Sequence, residues 1–188
     1  MIKNIAVYCG AAEGNRPEYR ADAVAVAEEI AKRGYGLVYG GGDIGLMGAV
    51  GDAAMAAGGY VHGVIPHHLA DKEIAHSNLS VLERVEDMRV RKARMEQLSQ
   101  AFIVLPGGSG TLEEFYEIYT MQQLYEGMGP IVLFDTLGYW QPMLRMLEHC
   151  VEEGFLMGKY VDALIVTSDI NDMFRQLENW VSPGVKYE

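Results

Sequence analysis

The chain predicts an α/β fold, a Rossmann-like parallel sheet with helices on both faces, and three observations carry that reading. Short runs that are apolar throughout alternate with helical patterns from one end to the other. Strands of that kind belong to a parallel sheet covered on both sides. Two glycine-rich stretches directly follow such runs, and α/β sheets bind ligands beyond the carboxyl ends of their strands. No repeat, low-complexity tract or linker divides the 188 residues. That length is ample for one hydrophobic core, so a single domain over residues 1–188 is expected.

Taken in order, the apolar run Ile5–Cys9 is the first strand and Tyr19–Lys32 the first helix. A second strand, Gly36–Tyr39, runs into Gly40-Gly41-Gly42-Asp43-Ile44-Gly45, and small residues from Leu46 open a helix to Ala57. The strand Tyr60–Ile65 follows. From Pro66 to Asn78 no regular pattern exists, and a loop of that length points to function. A helix over Asp87–Gln100 leads to the strand Ala101–Leu105, a second glycine loop, and a helix from Thr111 to Tyr125. The strand Ile131–Phe134, the helix Tyr139–Glu153, the strand Leu164–Val166 and the helix Ile170–Trp180 complete the alternation.

Composition excludes several classes of function. Apolar residues make up 49% of the chain, with no run long enough to span a bilayer. The start Met1-Ile2-Lys3-Asn4 has no signal-peptide shape. Cys9 and Cys150 are the only cysteines, too few for a disulfide framework or a metal-thiolate site. A soluble, cytoplasmic protein is expected. Fifteen basic against 26 acidic residues give a net charge of −11, which repels polyanions and disfavours nucleic-acid binding. The local exception is Arg84, Arg89, Arg91, Lys92 and Arg94. That cluster is either a solvated helix face or cations gathered for a small anionic ligand. His67, His68 and His76 lack metal-ligand spacing, so no metal is expected.

The strongest chemical signal is Leu105-Pro106-Gly107-Gly108-Ser109-Gly110-Thr111-Leu112-Glu113-Glu114. Its glycines permit a tight turn and bring bare N–H groups up to a ligand. The helix that follows aims its positive dipole end at the same place, which suits a phosphate. Thr111-x-x-Glu114 also spells a capping box, in which Glu114 does no more than bond the Thr111 N–H. Facing a ligand instead, Glu114 is expected to be kept ionised by the helix start. It then suits stabilising a developing cation or taking a proton from water, and does not suit a general acid. Arg91 stands one i,i+4 step from Asp87 and either pairs with it or serves the ligand. The loop Gly40, Gly41, Gly42, Gly45 matches G-x-G-x-x-G. The strand after it, Tyr60–Ile65, holds no carboxylate for a ribose. A mononucleotide therefore fits better than NAD.

Together, Gly40-Gly41-Gly42 with Gly45-Leu46-Met47-Gly48, Gly63-Val64-Ile65-Pro66, Arg91-Lys92-Ala93-x-Met95 and Pro106-Gly107-Gly108-x-Gly110-Thr111-x-x-Glu114 resemble the Lonely Guy (LOG) family. The resemblance runs from about Ile5 to Phe155. It implies a cytokinin riboside 5′-monophosphate phosphoribohydrolase: hydrolysis of the N-glycosidic bond of a nucleoside 5′-monophosphate to free base and ribose 5-phosphate. It further implies a homodimer that needs no cofactor. The family's catalytic pair falls on Arg91 and Glu114. Its nucleotide contacts fall on Glu73, Arg91, Lys92, Gly108, Ser109, Gly110, Thr111, Leu112, Glu113, Glu114 and Thr120. The chain carries no pyridoxal-phosphate signature, so the older label "lysine decarboxylase" finds no support in it. After Thr120 the family's Trp, His and Lys give way to Met121-Gln122-Gln123-Leu124-Tyr125-Glu126-Gly127-Met128. That helix end is expected to line the base pocket, which leaves prenylated adenine, plain AMP and other monophosphates open. A non-catalytic nucleotide sensor or carrier is the competing reading.

Overall fold

A computed structural model describes residues 1–70, 72 and 75–187. Its strands are β1 (Asn4–Tyr8), β2 (Gly36–Tyr39), β3 (Val61–Pro66), β4 (Val81–Val85), β5 (Ala101–Val104), β6 (Ile131–Phe134) and β7 (Ile165–Thr167). They form one sheet in the order β4-β3-β2-β1-β5-β6-β7, and every pairing in it is parallel. Between them run α1 (Pro17–Lys32), α2 (Gly45–Ala56), α3 (His67–Ala70), α4 (Met88–Leu98), α5 (Ser109–Leu124), α6 (Gln141–Glu152), α7 (Gly158–Asp162) and α8 (Ile170–Asn179). The fold is the Rossmann-like α/β sheet that the alternation predicts.

Period-two alternation divides the core between the two faces of the sheet. Ile5 and Val7 of β1, with Cys9 just beyond its end, join Ala23, Val26 and Ile30 of α1 and Phe174 of α8 in one apolar layer. Ala6 and Tyr8 turn the other way, to Met95 of α4, Phe115 and Ile118 of α5, and Leu147 of α6. Because both faces are covered, the central strands β2, β5 and β6 are buried at every position.

The alternation does not foretell three of these strands and α-helices. The strand β4 sits at the sheet edge and carries Glu83 and Arg84, so it lacks the wholly apolar signature. Its Glu83 is satisfied by groups from elsewhere: Arg94 Nε donates at 2.9 Å and the His62 ring lies at 2.9 Å. The short helices α3 and α7, four and five residues long, are too brief to show a helical period. The segment expected as a loop from Pro66 to Asn78 thus opens with a helical turn and is pinned at its far end. There Ala75 bridges Gly42, and the His76 N–H donates to the Gly41 carbonyl at 3.1 Å.

Strand order reverses between β1 and β5, with β2 to β4 on one side and β6 and β7 on the other. The carboxyl ends of these two neighbours part there and leave a crevice. Gly10 and the second glycine loop both end in it, tied by the Gly10 N–H to the Pro106 carbonyl at 3.1 Å.

Candidate active site

A cavity of about 680 Å³ opens at this switch point, a size suited to a small-molecule ligand. It is lined by the β1–α1 turn from Cys9 to Gly14, by the glycine loop from Pro106 to Thr111, and by Arg91 and Glu114. Leu46, Met47, Leu69, Met88, Tyr19 and Tyr139 complete the walls. Arg91, Gly108, Ser109, Gly110, Thr111 and Glu114 are therefore brought together in space.

The helix α5 begins at Ser109, with Gly108 at its N-cap and no side-chain cap. The capping-box reading fails on this boundary, because Thr111 is already inside the helix. Its hydroxyl packs on the loop instead: a Cβ on Gly107 would lie 2.1 Å from Thr111 Oγ1, so only glycine fits there. The Leu112 N–H donates to the Gly108 carbonyl at 3.0 Å. The N–H groups of Ser109, Gly110 and Thr111 stand before it at the open helix end, where an anion finds donors and a favourable dipole.

Glu114 lies one i,i+4 step past Gly110, on the same helix face, and the bare Gly110 leaves its carboxyl reachable from the cavity. The residue is only 8% exposed. Burial pushes its pKa up from 4.5 to about 7, with Arg91 lowering it and Glu113 raising it less strongly. The expectation of a carboxylate held ionised by the helix start is thus overturned. Desolvation outweighs the dipole because the carboxyl sits past the first turn, where the dipole effect has faded. A group that titrates near neutrality can hold or accept a proton under working conditions.

Arg91 does not pair with Asp87, which instead caps α4 by accepting from the Arg89 and Val90 N–H groups at 2.8 and 2.9 Å. Arg91 Nε donates to the Val64 carbonyl at 3.1 Å, and a terminal guanidinium nitrogen donates to the Gly40 carbonyl at 3.1 Å. The sulfurs of Met88 and Met47 lie 3.5 and 3.9 Å from the guanidinium. At 6% exposure, a cation held by carbonyls and thioethers keeps its charge available to an anionic ligand. Among the described residues it is the only cation that lines the cavity.

The rest of the basic cluster goes elsewhere. Lys92 pairs with Glu113, and with Glu117 at 2.9 Å, while Arg94 holds Glu83. Glu113 and Glu114, adjacent in sequence, thus face different partners. Lys92, Leu112, Glu113 and Thr120 do not line the cavity, and Glu73 lies outside the described residues. No residue from Phe115 to Tyr125 lines it either. The expectation that the end of α5 forms the base pocket fails within one chain, since the cavity is at the opposite end of a 16-residue helix.

The first glycine loop supports the site from behind. A Cβ on Gly40 would lie 1.7 Å from the Arg91 guanidinium, so a bare residue makes the seat for that side chain. Gly45 has φ +59° and packs against the Ala11 backbone, and the Leu46 N–H donates to the Gly10 carbonyl at 3.1 Å. Gly41 and Gly42 hold the segment at Ala75 and His76. The loop is a scaffold for Arg91 and the β1–α1 turn, and not a second anion cradle.

Sequence reasoning misses Cys9 to Gly14, Tyr19, Leu69, Met88 and Tyr139. The β1–α1 turn had a usable signal, since the first strand of such a sheet often borders the switch point. The tyrosines had none. Asp43, Asp52 and His76 cluster closely enough to suggest a cation. However, His76 Nδ1 accepts from the Asn78 N–H at 3.2 Å, which leaves Nε2 as the N–H that faces Asp52 at 3.2 Å. That tautomer follows from the hydrogen-bond network and makes His76 a donor to carboxylates, with no lone pair for a metal.

A protein from Oryza sativa subsp. japonica named "Probable cytokinin riboside 5′-monophosphate phosphoribohydrolase" is 41% identical over 96% of this chain and 85% of its own. The chain belongs to the LOG family. The family model described as "Possible lysine decarboxylase" matches residues 47–177. An Arabidopsis thaliana cytokinin riboside 5′-monophosphate phosphoribohydrolase is 38% identical to this LOG-family chain, over 95% of it and 82% of the relative. Among solved structures, the molybdenum cofactor binding protein of Rippkaea orientalis superposes with a TM-score of 0.70 at 19% identity. That match covers 95% of this chain and 98% of the other, a likeness of fold alone. Among the described residues no helix is long and apolar enough to cross a membrane.

Proposed function

We propose that the chain hydrolyses the N-glycosidic bond of an adenosine 5′-monophosphate, plain or N6-modified, releasing the free base and ribose 5-phosphate. The observation that carries this reading is the joint burial of Arg91 and Glu114 in one cavity at the open end of α5. The N–H groups of Ser109, Gly110 and Thr111 hold the 5′-phosphate. Arg91 supplies the positive charge that a dianionic ligand requires in a chain of net charge −11. Glu114, in the same cavity, takes a proton from water as the oxygen bonds to C1′ of the ribose. The electrons of the glycosidic bond leave with the base, which takes a proton from solvent, and Glu114 then returns its own proton to solvent. Before it accepts that proton, the ionised Glu114 also stabilises the oxocarbenium character of the sugar. A base with a pKa near 7 is matched to this work at neutral pH. Every group named belongs to the chain, and none of these steps draws on a cofactor.

The LOG relatives support the same reaction class, as does the charge on Arg91, which a purely structural arginine would spend on a carboxylate. We place the protein in the cytoplasm as a homodimer, a state that LOG-family membership suggests. On α5, Tyr116, Thr120 and Leu124 form an exposed strip at i,i+4 spacing, which a second copy would cover. Under this reading Thr120 meets the nucleotide only through that partner. Glu113 on the same helix and Lys92, paired with it from α4, join the nucleotide site on the same condition.

The test is chromatography of protein incubated with AMP and with isopentenyladenosine monophosphate, beside Glu114→Gln. Base release by the wild type, reduced about 10²–10⁴-fold in the variant, is the expected result. Binding without release from either nucleotide would instead identify a nucleotide carrier.

A further inference from the structure

We propose that Tyr19 and Tyr139 form the subsite for the base, and that this pair makes the cavity prefer a nucleotide over a bare sugar phosphate. The proposal rests on the phosphoribohydrolase reading of the same cavity, since it assigns the wall that this reading leaves unused. The helix start and Arg91 take the phosphate, and Glu114 takes the sugar carbon. Met47 and Met88 are engaged around the guanidinium. Among the described lining residues, Tyr19 and Tyr139 are the only aromatic rings.

Their arrangement suits a planar heterocycle. The rings stand edge to face, with centroids 5.7 Å apart and planes at 79°. A flat base can lie on one ring while the other meets its edge. Both rings are fixed before any ligand arrives. The Tyr139 hydroxyl donates to the Gly107 carbonyl at 2.5 Å, and its ring packs edge to face on Trp140 at 4.9 Å. Trp140 is 1% exposed, and its backbone N–H donates to Asp135 Oδ1 at 2.7 Å. Tyr19 packs against Gly14, where an added Cβ would lie 2.7 Å from its Cδ2. Tyr139 remains 37% exposed, which leaves surface for a ligand to cover. Rings ordered in advance lose little freedom on binding. The bond to Gly107 also places the base platform directly beside the phosphate loop.

Calorimetric binding of AMP and of ribose 5-phosphate, in the Glu114→Gln protein to prevent turnover, tests the assignment. Adding Tyr19→Leu or Tyr139→Leu should weaken AMP about 10- to 100-fold, the range of base–aromatic stacking. Ribose 5-phosphate affinity should stay within about twofold, which also reports that the variants are folded. Tyr139→Phe keeps the ring and should keep the preference for AMP. Equal losses for both ligands, or no loss of AMP affinity, would overturn the base subsite. A variant that fails to fold leaves the comparison on the unaltered walls, where AMP must bind at least about tenfold more tightly than ribose 5-phosphate. Tighter AMP binding without hydrolysis by the wild type would sink the phosphoribohydrolase reading and leave the subsite standing. Failure of AMP to bind at all would overturn both.

Discussion

Replacing Glu114 by Gln should stabilise the protein at neutral and alkaline pH while silencing it. Burial raises the Glu114 pKa from 4.5 to about 7, so between those values the folded protein holds a proton that the unfolded chain has released. Stability therefore falls as pH rises through this window. It is fully present below about 4.5 and lost above about 7. Each pH step is worth about 1.4 kcal/mol, so the ionised carboxylate costs about 3 kcal/mol relative to the neutral acid. Glutamine keeps the size of the acid and carries no charge. The variant should match the wild type at pH 4.5 and exceed its unfolding free energy by about 3 kcal/mol at pH 8. Urea denaturation at pH 4.5, 6 and 8 reads this directly, as a change in midpoint at constant slope. A difference that is constant with pH, or a variant less stable at pH 8, would refute the claim that desolvation dominates at this site. The expected outcome is a trade of stability for activity.

Three further outcomes follow from the same geometry. If Glu114 acts as the base, kcat/KM should fall about tenfold per pH unit below about 7, and a profile flat down to pH 5 would remove that role. Gly40→Ala puts a methyl group 1.7 Å from the Arg91 guanidinium and should lower kcat/KM by about 10² by displacing that charge. Gly158→Ala makes only an ordinary contact at 3.8 Å and should change activity within about twofold. Steady-state kinetics with AMP separates the two glycine variants.

What can be read from the chain depends on whether the information is local. The apolar runs of β1, β2, β5 and β6 announce themselves because each strand is buried on both faces whatever its neighbours are. β4 does not, because the groups that satisfy Glu83 come from His62 and Arg94 on other elements. The glycines from 107 to 110 disclose a turn and an open helix end through their own backbone freedom. The helix boundary, two residues earlier than Thr111 suggests, follows from packing of the Thr111 hydroxyl against Gly107. Short-range pattern in the chain is enough for the α/β alternation and the glycine loop before α5, and motif spacing is enough to single out Arg91 and Glu114 as candidates. That Gly40 serves Arg91, that Lys92 turns to Glu113 and Glu117, and that Tyr19 meets Tyr139 depends on contacts between distant parts of the chain. So does the proton affinity of Glu114, because desolvation depends on every wall around the carboxyl, and those walls come from β1, α2, α4 and α5 together.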